Sequence, residues 1–83
     1  MFKIKYCSSW NYKPQAESLS VDMNNAGLST TFEEGDKGQF EVFESRQGDW
    51  TSFLKAGHGT FIILSQVERK LISGWTGPDS DEN

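Results

Sequence analysis

The side chains able to do chemistry in this 83-residue chain are few, and most fall near its start. Cys7 is the only cysteine and is followed by Ser8, Ser9, Trp10, Asn11 and Tyr12, while His58, the only histidine, lies between Gly57 and Gly59. A chain with one cysteine forms no internal disulfide, so thiol chemistry at Cys7 is limited to a mixed disulfide with glutathione or a partner thiol. Such a thiol needs thiolate character, supplied by a helix N-terminus or nearby cations. Lys13 is the better-placed cation, since Lys5 lies two residues back along an alternating segment. Pro14 works against a helix-terminus effect, because it moves the first helical N–H groups away from Cys7. The alternative role for Cys7 is a small hydrophobe at a strand end. His58 is either a proton acceptor or ligand-fixing group, or simply a turn residue between two glycines. Ser8 and Ser9 lack the glycine-flanked elbow of a serine hydrolase but remain candidate contact residues beside Trp10 and Tyr12. Cys7 and His58 alone are too few ligands for a metal centre. The stretch Glu33–Gly38, rich in charge and glycine, has no calcium-loop spacing and reads as a solvated turn.

Eight Lys and Arg against twelve Asp and Glu give a net charge of −4, which opposes phosphate-backbone binding and hence a nucleic-acid partner. No apolar run approaches the length of a membrane span. Met1 leads directly into an alternating segment with no signal-like apolar region, so a soluble cytoplasmic protein is the expectation. Six Phe, three Trp and two Tyr supply large buried area to a short chain.

The elements that must position these residues follow from periodicity. Phe2-Lys3-Ile4-Lys5-Tyr6 alternates as a strand with Phe2, Ile4 and Tyr6 on one face. Tyr12, Ala16, Leu19, Met23 and Ala26 form one helical stripe that begins between Asn11 and Pro14 and stops at Gly27. Leu28–Phe32 predicts a short strand, and Gln39–Glu44 another, with Phe40 and Val42 on one face and Phe43 on the other. Asp49 predicts the cap of a short helix carrying Trp50, Phe53 and Leu54, stopped at Gly57. Gly59–Ser65, the most hydrophobic run, predicts a central strand. Gln66–Arg69 predicts a turn, and Lys70–Trp75 a returning strand. Residues 76–83 predict an acidic, disordered tail after a single domain over 1–75. The expected class is α/β (α+β), a mixed sheet of about four strands in the order β-α-β-(short α)-β-β.

Three stretches resemble the selenoprotein W-like (Rdx) family of the thioredoxin-like fold. Lys5–Lys13 is similar to that family's strand end, its C-x-x-(Cys or Sec) motif and the residues after it. Gly59–Ile63 is similar to its glycine-then-aromatic strand, and Lys70–Ser73 to its returning strand. The resemblance implies that Cys7 stands at the first motif cysteine, that Trp10 stands where the resolving Cys or Sec would be, and that His58 lies near the reactive turn. It also implies a thioredoxin-like fold truncated at its C-terminal helix. The expected function is a degenerate single-thiol redox protein, with glutathione as co-substrate and no other cofactor. The alternative is a non-catalytic protein-interaction module that uses the loop around Trp10 or an exposed sheet face. The apolar face left by a missing final helix further implies a homodimer.

Overall fold

A computed structural model describes residues 1–73. It shows an α+β fold: a four-stranded mixed sheet and two helices, compatible with a shortened thioredoxin-like architecture. The elements are β1 (Phe2–Tyr6), α1 (Lys13–Asn25), β2 (Thr30–Glu34), β3 (Phe40–Arg46), β4 (Asp49–Lys55) and α2 (Leu64–Ser73). The strand order is β2-β1-β3-β4, with β1 parallel to β2 and antiparallel to β3, and β3 antiparallel to β4. A parallel pair needs a crossover, and α1 supplies it.

The alternation of β1 decides which face is covered. Phe2, Ile4 and Tyr6 are buried together with Ala16, Leu19 and Met23 of α1 and Val67 of α2, so both helices lie on one side of the sheet. Lys3 and Lys5 point the other way, where both reach Glu33, at 3.9 and 3.7 Å. That face also carries Phe43, half-buried beneath Lys5, and Trp50, whose ring lies 4.3 Å from the Lys3 ammonium. Helix α1 starts at Lys13 with Pro14 in its first turn, where a missing N–H costs nothing. It ends at Gly27, in the left-handed region with φ 87°. There the Gly27 N–H donates to the Asn24 carbonyl and the Leu28 N–H to the Met23 carbonyl, the paired bonds of a glycine C-cap.

Two segments differ from the sequence-based expectation, and each has a local cause. Residues 49–55 form β4 rather than a short helix. Gln47 and Gly48 both have positive φ, 52° and 89°, the backbone of a two-residue hairpin turn that sends the chain straight back along β3. The helix-like spacing of Trp50, Phe53 and Leu54 comes from a bulge. The register slips at Val42/Phe43, so Phe53 is an extra residue and both it and Leu54 join the core cluster. Trp50 stays on the opposite face.

Residues 59–73 contain no strand. Gly59–Ile63 is irregular, and Leu64–Ser73, read from sequence as a strand end, a turn and a returning strand, is the single helix α2. The Gln66 side chain accepts the Ile63 N–H at 2.9 Å, one half of a capping box that fixes the helix start. The apolar run Phe61–Leu64 therefore divides its work. Phe61 and Ile62 plug the core as loop residues, Ile63 is exposed, and Leu64 opens the helix. The observed order is β-α-β-β-β-α, with the second helix, α2, after the sheet where two strands were expected. Gly74, Trp75 and the tail 76–83 lie outside the described residues.

Candidate functional site

The turn after β1 is built by backbone hydrogen bonds. The Cys7 N–H donates to the Gln39 carbonyl at 2.8 Å, which extends the β1–β3 ladder by one residue. The Cys7 carbonyl then accepts the Tyr12 N–H at 3.1 Å, closing a loop over residues 8–11. Asn11 turns the chain with φ 60°, a conformation asparagine tolerates better than most residues. The loop turns back so that the backbone N–H of Trp10 points at the Cys7 Sγ, 3.3 Å away.

Cys7 is 1% exposed and belongs to the core cluster. The two cations considered for it act elsewhere. Lys5 is engaged with Glu33 on the opposite face, and Lys13 is exposed at the start of α1 with no ion pair among the described residues. Helix α1 also offers one donor fewer at its N-terminus, since Pro14 has no N–H. Ser8 and Ser9 are exposed.

The aromatic residues are more tightly organised than the sulfur. Trp10 lies 4.6 Å from the His58 ring and 5.9 Å from Tyr12, both edge-on. Its six-membered ring rests on Gly38, where an added Cβ would sit 3.1 Å from it. Gly38 has φ 78°, so glycine is required there by both backbone and contact. Tyr12 is buried and edge-on to Phe61 at 4.9 Å and to Phe40 at 6.4 Å. His58 is carried by a tight turn from Gly57 to Thr60, in which the Gly57 carbonyl accepts both the Thr60 N–H and its hydroxyl. The fold thus brings Cys7, Trp10, Tyr12 and His58 to one end of the sheet and leaves Lys13 at its margin.

Three contributors were not singled out by sequence reasoning: Gly38, Gln39 and Phe61. The antiparallel register sets Tyr6 opposite Phe40, which carries the preceding Gly38-Gln39 to the Cys7 turn, so the β1–β3 pairing is the signal that locates them. Among the described residues no group of three or more His, Cys, Asp and Glu could hold a metal ion, and no helix is long and apolar enough to cross a membrane. In comparisons with known proteins, no family model, no curated protein and no solved structure matches the chain.

Proposed function

We infer that this chain is a non-catalytic protein-interaction module whose contact surface is the aromatic turn around Trp10. One contrast supports this reading: Cys7 is 1% exposed, while Trp10 keeps 36% of its surface open on a preorganised seat of Gly38, Tyr12 and His58. A rigid, half-exposed aromatic ring loses little entropy on docking, and the polar residues beside it, Ser8, Ser9 and Lys13, suit the wet rim of a contact patch. The partner is a protein presenting an apolar side chain to that ring. Installing a photo-cross-linking amino acid at position 10 tests the surface. Adducts to one discrete protein, suppressed by His58→Ala and not formed from position 22 on the exposed face of α1, are the expected result. Equal yields from both positions would count against it.

The Trp10 backbone N–H aimed at Sγ favours a second reading, the selenoprotein W-like single thiol working with glutathione. Alkylation of the native protein separates the two. For a scaffold cysteine, labelling runs about a hundredfold or more slower than in denaturant, because it waits for local opening. Labelling as fast as that of an unfolded peptide would instead return Cys7 to the position of a working thiol.

A further inference from the structure

Each edge of the sheet is closed only in part. At the β2 edge, the Asn24 side chain binds both the N–H and the carbonyl of Thr30, while the backbone groups of Phe32 and Glu34 face outward. At the β4 edge, Lys70 of α2 donates to the Phe53 carbonyl at 2.7 Å. Because β3 turns Phe40, Val42 and Glu44 toward β4, the pairing Val42↔Leu54 and Glu44↔Thr51 leaves the backbone groups of Trp50 and Ser52 facing outward. The Phe53 bulge and Lys70 end this open segment on one side, and the Gln47-Gly48 turn ends it on the other. What remains is a short edge of fixed length, flanked by Asp49, which makes no ion pair among the described residues.

We propose that this edge pairs with the same edge of a second copy, antiparallel about a two-fold axis through Thr51. In that register Trp50 and the second copy's Ser52 exchange backbone hydrogen bonds, as do Ser52 and the second copy's Trp50. Asp49 falls opposite the second copy's Phe53, the residue whose carbonyl holds Lys70. Alternation from Trp50, which lies on the face away from the helices, puts the Asp49 side chain on the helix side, the layer from which Lys70 comes. Each carboxylate thus meets the ammonium of the other copy, and the symmetry makes two such pairs. This charge complementarity, in the register that pairs both Trp50 and Ser52, favours a second copy over an unrelated strand. The dimer joins two four-stranded sheets into one of eight and leaves the Trp10 turn outside the contact, so it stands independently of the function proposed above. With so short a ladder, association is weak and fast.

Two measurements test it on the whole chain. Sedimentation equilibrium should show a reversible dimer, and Asp49→Lys should raise its dissociation constant about tenfold. Thr51→Cys should form an intermolecular disulfide on mild oxidation, because directly opposed residues of a non-hydrogen-bonded pair stand roughly 4.5 Å apart at Cα, within disulfide reach. Lys55→Cys, beyond the bulge, should not. A circular-dichroism melt of each variant confirms folding. A monomer at about 1 mM, an unchanged constant for Asp49→Lys, or equal cross-linking from positions 51 and 55 would overturn the proposal.

Discussion

Phe40→Ala is expected to cost about 3–5 kcal/mol of folding free energy, the range for emptying a fully buried aromatic site. Phe40 is 1% exposed and heads the largest fully buried side chains. It sits opposite Tyr6 on β1, and its ring meets Phe61 edge-on at 5.3 Å and Tyr12 at 6.4 Å. The site cannot collapse easily. One wall is the sheet, and the other is an irregular loop already anchored by Phe61 and Ile62. A domain this small has a total stability toward the lower end of about 5–15 kcal/mol, so the variant should be largely unfolded at modest urea concentrations. The same cavity removes the support beneath Tyr12 and hence beneath Trp10. Tryptophan fluorescence should therefore report loosening of the turn before the global transition. Urea melts giving a loss below about 1 kcal/mol would show that the loop refills the space.

Asn24→Ala is the second large effect, at about 2–3 kcal/mol, the cost of stranding buried hydrogen-bonding groups. The Asn24 amide nitrogen donates to the Thr30 carbonyl at 3.0 Å and to the Ser20 carbonyl at 2.9 Å, and its oxygen accepts the Thr30 N–H at 2.9 Å. Thr30 is 7% exposed, so water does not readily replace these bonds. The side chain thereby caps the start of the β2 edge and ties it to the last turn of α1. Asn24→Asp should not rescue at neutral pH. It keeps an acceptor for the Thr30 N–H but turns a carboxylate toward two carbonyl oxygens. Amide exchange at Thr30 should accelerate in both variants. An alanine variant within about 0.5 kcal/mol of the parent would mean that the edge relaxes to solvent.

Much of this fold was legible from residue spacing. The alternation in Phe2–Tyr6, the stripe from Tyr12 to Met23, the stop at Gly27 and the alternation of Phe40 and Val42 each follow one unbroken period. The failures fall where a period is broken by something non-local. In β4 the Phe53 bulge imitates a helical repeat, and only the register with β3 reveals it. Before α2, Phe61 and Ile62 are apolar because a tertiary gap between Tyr12, Phe40 and the helices needs filling, not because they lie on a strand. The helix signal was present in Gln66 and in the i, i+3, i+7 spacing of Leu64, Val67 and Leu71, but the β-branched run ahead of it outweighed it. At the site, no residue period brings His58 to 4.6 Å from Trp10, because the Gly57–Thr60 turn that carries it arrives from elsewhere in the chain. A small-hydrophobe role for Cys7 was legible from its place at a strand end, but the depth of its burial depends on the loop folding back and on Gly38 sitting opposite.

The strand order carries a consequence for how the molecule is made. The first strand in the chain lies in the interior of the sheet, hydrogen-bonded on both sides. A ribosome releases it before either neighbour exists. Its parallel partner is complete only at Glu34 and its antiparallel partner only at Arg46. Val67, which is fully buried against the finished layer, comes later still. Until Glu34 is made the apolar strand has two open edges, and until Arg46 is made it keeps one; Lys3 and Lys5 are the charges along it that oppose pairing with other chains.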